Sequence, residues 1–321
     1  MTWVLGLDGG GSKTALAYAN REGEVVGPLF APGINPFDQP RWEAGLTAFL
    51  HAHPAPGLLS AVTFGLPGYG ESPEVSERQR SLSGQLILAP LSVINDVEAA
   101  FVGAFAGGPG VLLLAGTGSM TWGSDGQCQV RAGGWGEGFG DEGSAYWIGK
   151  EALSVASQSL DGRHPDRAFA AALLGPLLGQ VPEQAALLDW YYGLRHVRSG
   201  VAALARTVDA LADQGQPTAL TILNAAAQQL ARHVTAARTQ LNTHHLPWSH
   251  AGSVLNSRTV LARLETLLGQ APLPPVLPPL GGALLSSAQM AGFDADPAWQ
   301  RRVRTALLTQ RSTSLSEAQP T

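Results

Sequence analysis

The sequence predicts an α/β protein built from two halves, each of which opens with a strand, a glycine loop and a second strand. An apolar strand at residues 3–7 leads into three glycines and a further strand at residues 14–19. The same arrangement returns later, where a strand at residues 111–115 precedes a glycine loop at residues 116–119. The chain has 321 residues, 45% of them hydrophobic, which is enough for two domains with separate cores.

The first half is predicted to continue as mixed strands and helices. Residues 20–23 have turn chemistry, and residues 41–51 suit an amphipathic helix. Asn95 and Glu98 have nearly the spacing of a capping box, so we expect a helix to begin there and to continue through Ala106. The predicted strands of this half are residues 3–7, 14–19, 24–26, 60–65 and 91–94.

The second half begins after a break of glycine and proline at residues 107–110. We therefore predict an N-terminal domain of residues 1–107 and a C-terminal domain of residues 108–311. The last residues, 312–321, form a polar tail that we expect to be disordered.

The C-terminal domain is predicted to be mainly helical after a long glycine loop. Residues 133–143 contain six glycines, and residues 144–268 follow with an alanine-rich helical pattern. A strand and loop at residues 246–253 interrupt this pattern. A proline-rich connection at residues 272–279 leads to two glycines and a last helix.

Charge and cysteine content exclude several classes of protein. The net charge is −5 and no basic stripe is present, which argues against nucleic-acid binding. Cys128 is the single cysteine, so one chain can form neither an internal disulfide nor a cysteine-ligated metal cluster. We find no signal peptide and no apolar run of membrane-spanning length, and we expect a cytoplasmic protein without a membrane partner.

The glycine loops are the first indication of a ligand. Consecutive glycines after a strand let backbone N–H groups approach one anion, as in phosphate sites. Ser12 separates the glycines from Lys13 and Thr14, and a strand rather than a helix follows, so the loop is neither a Walker A nor a Rossmann turn. Alone it could be a hairpin turn without a ligand. The second loop favours a nucleotide phosphate tail held by two similar domains.

Asp8 precedes the first glycine loop and suggests a metal ion. A carboxylate beside phosphates is unfavourable unless a cation intervenes, and Mg²⁺ commonly reaches such a carboxylate through water. The alternative is an ordinary turn aspartate.

The order of these motifs resembles that of actin-like ATPases and hexokinases, and within them the N-acetylglucosamine kinase and BadF/BadG family. The resemblance implies two actin-like, ribonuclease H-like domains that flank a nucleotide and sugar cleft. Its most specific part is the long glycine loop. The matching segments are LGLDGGGSKT (5–14), NDVEAA (95–100), LAGTGS (114–119), GGWGEGFGDEGSAYWIG (133–149), AGSV (251–254) and PLGGA (279–283).

The resemblance also implies a reaction, the transfer of the ATP γ-phosphate to the 6-hydroxyl of an amino sugar such as N-acetylglucosamine. Asp96 would be the catalytic base, although a helix cap is the ordinary role of an aspartate at that position. The implied sugar-binding residues are Asn35, Asp96, Gly134, Trp135, Gly136 and Asp141. The implied ATP-binding residues are Gly9, Gly10, Gly11, Ser12, Lys13, Thr117, Gly118, Gly252 and Ser253, with Asp8 on Mg²⁺.

Several alternatives stay open from the sequence. Residues 66–71 depart from the Ser-Gly-Gly-Asp type of loop found in animal N-acetylglucosamine kinases, so glucosamine or an N-acetylmuramic-type sugar is an alternative acceptor. An activating ATPase with a shared iron–sulfur cluster is disfavoured by the single cysteine. A non-catalytic sugar sensor is a further alternative. Apolar helical surface could also pack in a homodimer.

Overall fold

A computed structural model describes residues 1–11, 13–179 and 183–316, with side chains up to residue 309. The chain divides into two compact units, and the second contains Gly110–Leu273. The first combines Met1–Pro109 with the chain from Pro274 onward. The boundary after Pro109 lies close to the predicted boundary after residue 107. Residues 274–311 were predicted to belong to the C-terminal domain, but they belong to the first unit.

The first unit is built on a five-stranded mixed sheet. Its strands are β1 (Thr2–Asp8), β2 (Lys13–Asn20), β3 (Val25–Pro32), β4 (Leu58–Leu66) and β5 (Leu91–Asn95). They lie in the order β3-β2-β1-β4-β5. The first three form antiparallel pairs, whereas β1, β4 and β5 run parallel. The carboxyl ends of the three parallel strands therefore meet at one edge, where open α/β sheets bind ligands.

Helices cover both faces of this sheet. One face packs against α1 (Trp42–Ala52) and carries α2 (Pro73–Leu86), which the sequence analysis did not predict. The other face packs against α3 (Asp96–Phe105) and the last two helices of the chain.

The last two helices belong to the first unit because their apolar faces complete its core. Their hydrogen bonds reach the sheet directly: Ser287 Oγ donates to the Leu5 carbonyl at 2.8 Å, and Trp299 Nε1 donates to the Asn20 carbonyl at 2.9 Å. The C-terminal helix includes residues 312–316, so the prediction of a disordered tail is wrong for them, while residues 317–321 lie outside the described residues.

The second unit contains a four-stranded sheet and a layer of helices. The strands are β6 (Gly110–Ala115), β7 (Ser119–Ser124), β8 (Gln129–Gly133) and β9 (Trp248–Ala251), in the order β8-β7-β6-β9. Only β6 and β9 are parallel, so their carboxyl ends share one edge. The prediction of a helical region interrupted by one strand is confirmed, but β8 was missed.

The helices of the second unit pack their apolar faces into one core around Val111, Leu113 and Trp248. They are α4 (Ala145–Leu160), α5 (Arg167–Leu178), α6 (Gln184–Tyr192), α7 (Val197–Asp213), α8 (Pro217–Gln240) and α9 (Arg258–Leu268). A 3₁₀ helix, Ser253–Asn256, joins β9 to α9, and the last helices of the chain are α10 (Pro279–Met290) and α11 (Pro297–Ser316). No helix in the described ranges has both the length and the apolar composition needed to cross a membrane.

Candidate active site

The first glycine loop begins at the carboxyl edge of the first sheet. Asp8 ends β1 and is paired in register with Gly65 of β4. Gly9 N–H donates to the Gly65 carbonyl at 2.8 Å, so the start of the loop is tied to the neighbouring strand. Leu66 and Asn95 are paired in the same way on β4 and β5. The edge thus brings Asp8 into the neighbourhood of the β5–α3 junction.

Asp96 occupies the first position of α3. Asn95 caps the helix, because its side chain accepts a hydrogen bond from Val97 N–H at 2.9 Å. Asp96 is not the cap, although its Oδ1 also accepts from Val97 N–H at 3.0 Å. A Cβ on Gly65 would lie 3.5 Å from Asp96 Cα, so the absence of a side chain there lets the helix begin against the strand. Asp96 is half-buried and lies in the positive field of the helix N-terminus.

The glycines hold two loops of the first unit together. Ile34 N–H donates to the Gly10 carbonyl at 3.1 Å. A Cβ on Gly33 would lie 2.1 Å from the carbonyl oxygen of Gly11, so only glycine fits this crossing. Lys13 Nζ lies 4.2 Å from the centre of the Phe30 ring. Ser12, a predicted ATP ligand, lies outside the described residues.

Asn35 is placed at the start of the loop between β3 and α1. Its Oδ1 accepts from Phe37 N–H at 3.2 Å, and its Nδ2 donates to Asp38 Oδ2 at 2.6 Å. The side chain thus stabilises a turn in the loop where the resemblance implies a sugar ligand. Phe37 packs on the next loop, because a Cβ on Gly68 would lie 2.7 Å from its ring.

The loop that departs from the family pattern, residues 66–71, is anchored to the α3 cap. Asn95 Nδ2 donates to the Tyr69 carbonyl at 2.8 Å, and Gln79 Nε2 donates to the Pro67 carbonyl at 2.9 Å. Asn95, which immediately precedes Asp96, therefore connects this loop to the start of α3.

The second glycine loop lies at the edge shared by β6 and β9. Ala145 N–H at the start of α4 donates to the Gly116 carbonyl at 2.8 Å. Gly252 follows β9 with a φ of +105°, and a Cβ there would lie 2.3 Å from the Ala115 carbonyl oxygen. The absence of a side chain at Gly252 thus brings the two predicted ATP segments of this unit into direct contact.

A cavity of about 230 Å³ opens beside these two segments. Thr117 and Ser253, two predicted ATP-binding residues, both line it. Its walls combine small apolar side chains with several polar ones. Helix α7 contributes one wall, with Ala203, Arg206 and Asp209 among its lining residues. Asp209 Oδ1 is buried and has no hydrogen-bond partner among the described residues.

Asp141, a predicted sugar ligand, is buried beside the second glycine loop. It is 3% exposed and has a φ of +56°, which is unusual for a residue with a side chain. Its Oδ1 accepts from Ser119 N–H at 3.3 Å, and its Oδ2 accepts from Arg198 Nη2 at 2.6 Å. Ser144, not Asp141, caps α4, since Ser144 Oγ accepts from Trp147 N–H at 3.1 Å.

The long glycine loop is tied down at its first residues and exposed in its middle. Gly134 N–H donates to the Ser119 carbonyl at 3.0 Å, and Arg131 donates to the carbonyl oxygens of Gly133 and Gly134. Gly140 N–H donates to the Gly136 carbonyl at 2.9 Å, which closes a compact turn. Trp135, which precedes that turn, is 69% exposed and therefore lies outside the core.

A buried histidine supports the beginning of this loop. A Cβ on Gly133, where φ is +75°, would lie 2.9 Å from the His233 ring. Burial lowers the pKa of His233, and Glu142, whose Oε2 lies 3.5 Å from Nε2, opposes that shift only in part. His233 is therefore neutral at pH 7 and serves as packing surface.

Arg198, Arg206, Asp209 and His233 escaped the sequence analysis. Each lies on a helix inside the predicted helical region, with no glycine or motif beside it. The sequence offered one signal for these positions, the charges of Arg198, Arg206 and Asp209 within an alanine-rich helical pattern. Their role depends on how α7 and α8 pack against loops distant in sequence. Among the described residues, the structure brings together no three His, Cys, Asp or Glu side chains that could hold a metal ion.

The fold and the paired glycine loops define an ATPase of the actin-like type. The model of the BadF/BadG/BcrA/BcrD ATPase family matches residues 5–286, and the chain belongs to that family. The predicted resemblance is thereby confirmed.

Individual relatives narrow the likeness further. The chain is 27% identical over 267 residues to an N-acetylmuramic acid/N-acetylglucosamine kinase of Clostridium acetobutylicum, covering 80% of this chain and 87% of that protein. The fold is similar to that of a candidate N-acetylglucosamine kinase from Chromobacterium violaceum, with a TM-score of 0.68 and 25% identity over 88% of this chain and 98% of that one.

A more distant structure shares the fold alone. A glucokinase of the ROK family from Streptomyces griseus, solved with glucose and AMPPNP, has a TM-score of 0.56 and 17% identity, covering 89% of this chain and 98% of that chain. These likenesses confirm the predicted two-domain ATPase fold. The predicted enzyme class, a phosphotransferase of the sugar-kinase type, agrees with the names of these relatives.

Proposed function

We propose that the chain is an ATP-dependent sugar kinase that transfers the γ-phosphate to the 6-hydroxyl of N-acetylglucosamine or a close relative. The observation that carries the proposal is the carboxyl edge of the first sheet. Asp8 pairs with Gly65 there, and Gly65 lies against the backbone of Asp96. A phosphate-type loop and a half-buried carboxylate at a helix N-terminus are the groups that phosphoryl transfer to an alcohol requires.

Asp96 acts as the base in this reaction. Its carboxylate orients the sugar hydroxyl and accepts the proton as the new oxygen–phosphorus bond forms. The bond between the γ-phosphorus and the bridging oxygen breaks at the same time, and ADP leaves with that electron pair. Since the transition state is mostly charge redistribution, positioning and charge stabilisation contribute more than covalent help.

Each unit has its own proposed nucleotide-binding residues. Gly10 and Gly11 offer backbone N–H groups to phosphate, whereas Gly9 N–H ties the start of the loop to β4. Ser12 and Lys13 follow these glycines in the chain. In the second unit, Thr117 and Ser253 line the cavity that receives the adenosine, and Gly118 and Gly252 are their neighbours in the chain. The likeness of this chain to ATPases of its family supports these roles.

Asp8 would hold Mg²⁺ through water. A single carboxylate fits such an ion, because Mg²⁺ typically uses one or two carboxylates together with water and substrate phosphates. Bound Mg²⁺ would neutralise charge on the transferring phosphate.

In the first unit, the proposed sugar ligands are Asn35 and Asp96. In the second unit, they are Gly134, Trp135, Gly136 and Asp141. Trp135 offers an exposed ring to an apolar sugar face. The name of the Clostridium acetobutylicum relative includes N-acetylmuramic acid, so that sugar is the second candidate acceptor. Glucosamine is the third, since residues 66–71 depart from the loop of animal N-acetylglucosamine kinases.

A panel assay tests the proposal. The protein is mixed with ATP, Mg²⁺ and either N-acetylglucosamine, N-acetylmuramic acid, glucosamine or glucose, and ADP release and the phosphorylated sugar are measured. We expect sugar-dependent turnover with one or both acetylated sugars and a phosphate on O6. If no sugar of the panel supports turnover, the kinase assignment is refuted. If glucosamine alone supports turnover, the assignment of an acetylated sugar as the acceptor is refuted.

A further inference from the structure

Arg198 joins the predicted sugar loop to the helix that lines the nucleotide cavity. It lies in the first turn of α7, whose residues Ala203, Arg206 and Asp209 line that cavity. Its guanidinium contacts two carboxylates of the long glycine loop: Nη2 lies 2.6 Å from Asp141 Oδ2, and Nε lies 3.3 Å from Glu137 Oε2.

Helix α7 holds Arg198 in a fixed place. A Cβ on Gly149 of α4 would lie 2.1 Å from the carbonyl oxygen of Val201, so the two helix backbones touch one turn after Arg198. The start of α4 is in turn bonded to the second glycine loop, through Ala145 N–H and the Gly116 carbonyl. Arg198 is therefore attached to the nucleotide loop through packed backbone as well as through its own side chain.

The Arg198–Asp141 pair also covers the nucleotide loop directly. A Cβ on Gly118 would lie 2.7 Å from Arg198 Nη2 and 2.9 Å from Asp141 Oδ2. The pair thus occupies the space that a side chain at position 118 would fill. Any shift of this loop on phosphate binding must move the pair or be resisted by it.

Because the Asp141 side chain is buried, its orientation depends on its partner, Arg198. The Asp141 side chain is 4% exposed, whereas that of Arg198 is 37% exposed. A buried carboxylate needs a cation and hydrogen-bond donors to remain charged and correctly oriented. Here Arg198 supplies the cation, and Ser119 N–H, from the nucleotide hairpin, supplies the second donor.

We propose that Arg198 is a positioning residue that sets the orientation of Asp141 and so couples nucleotide binding in the α7 cavity to the affinity for sugar. This inference rests on the proposed kinase function, in which Asp141 binds sugar hydroxyls. Both binding events bias one set of contacts, the set formed by Gly118, Asp141 and Arg198. Because binding coupling is reciprocal, the sugar should raise nucleotide affinity by the same factor that the nucleotide raises sugar affinity.

The test measures the Kd for N-acetylglucosamine with and without a saturating non-hydrolysable ATP analogue and Mg²⁺, in the wild type and in variants. In the wild type we expect the analogue to tighten sugar binding about 5-fold or more. Arg198→Gln should bring that ratio close to one and raise the sugar KM more than it lowers kcat. Arg198→Lys should retain part of the coupling, because an ammonium keeps the charge but lacks the planar fork.

Two controls separate coupling from general damage. Arg163→Gln removes an arginine from an exposed aspartate pair in the same unit, with Asp161 at 2.6 Å, and should leave the ratio unchanged. Glu137→Gln removes only the outer carboxylate and should leave most of the coupling intact. Circular dichroism and thermal unfolding of each variant check that it folds. If the Arg198→Gln variant folds poorly, the coupling is tested with the Arg198→Lys variant instead.

The outcomes are distinguishable. A wild-type protein that phosphorylates sugar but shows no coupling, or an Arg198→Gln variant that retains the wild-type ratio, would overturn the role of Arg198 alone. If Arg198→Gln is too unstable, a lysine variant with full wild-type coupling would do the same. A wild-type protein that neither binds nor phosphorylates any sugar of the panel would overturn the kinase function, and this inference with it.

Discussion

Gly282 of α10 lies so close to Ala99 of α3 that a Cβ on Gly282 would be 2.0 Å from the Ala99 carbonyl oxygen. The contact lies one turn after Asp96, at the start of the same helix. Gly282→Ala should therefore push the two helices apart and destabilise the protein by about 1–3 kcal/mol. Because α3 carries Asp96, we also expect a lower kcat. Urea unfolding and steady-state kinetics measure the two effects.

Gly84→Ala is the matched control for this change. Gly84 lies in α2, and a Cβ there would meet no atom within 4 Å. An added methyl group at an open helical position should stabilise the protein by about 0.5–1 kcal/mol. Equal stability changes in the two variants would contradict the idea that α3 and α10 depend on backbone contact at Gly282.

Asp96→Asn should abolish most turnover without preventing nucleotide binding. The amide keeps the shape of the side chain but cannot accept the hydroxyl proton, and we expect kcat to fall about 10²–10⁴-fold. The Kd for the ATP analogue should change little, because the cavity lined by Thr117 and Ser253 is unaltered. Single-turnover phosphorylation and direct nucleotide binding provide the two measurements.

Asp125→Asn serves as the corresponding control. Asp125 lies in the β7–β8 turn, where hydrogen bonds from the N–H groups of Cys128 and Gln127 lower the pKa of its carboxyl. Its neutralisation should leave kcat unchanged. If Asp96→Asn retained wild-type kcat, Asp96 could not be the base.

The glycine loops could be predicted from sequence because their signal is local. A strand, several glycines and a second strand occur within a few residues, and only glycine fits where backbone segments cross, as at Gly33 and Gly252. The cap of α3 at Asn95 was predictable for the same reason. The position of Asp96 follows directly from that cap.

Arg198 and the last two helices could not be predicted in this way. The Arg198–Asp141 contact joins residues 57 positions apart. The sequence around either residue does not indicate that the other lies beside it. The return of α10 to the first sheet depends on an apolar face that fits β1, as the bond from Ser287 to Leu5 shows across 282 positions. Local pattern gives the existence of such a helix, but tertiary packing decides where it lies.

Filling the α7 cavity should weaken ATP binding selectively. Ala203 lies on an exposed part of the cavity wall, so Ala203→Trp can place an indole in the space without disturbing the core. We expect the ATP KM to rise at least about tenfold, equivalent to about 1.4 kcal/mol of binding free energy. Initial rates at varied ATP and saturating sugar measure this change.

Ala210→Trp provides the comparison on the same helix. Ala210 is exposed on α7 but is not among the residues that line the cavity. Its replacement should leave the ATP KM unaltered. An Ala203→Trp enzyme with the wild-type ATP KM would mean that the nucleotide binds elsewhere.

Stability should fall as the pH is lowered from neutrality, in part because of His233. Burial lowers the pKa of this histidine in the folded protein, so the unfolded chain binds a proton more readily once the pH falls below about 6.5. The contribution of His233 is therefore complete above that pH and is lost as the pH falls towards the lower, folded-state pKa. Burial lowers the pKa of His250 as well, so both histidines act in the same direction.

Urea unfolding of the wild type and His233→Gln between pH 7.5 and pH 5.5 measures this contribution. The variant cannot take up the proton, so its unfolding free energy should decrease less steeply over that interval, whatever its stability at pH 7.5. An identical slope in the His233→Gln variant would show that His233 is not kept neutral by its burial beside Gly133, because loss of a titrating group must change the number of protons taken up on unfolding.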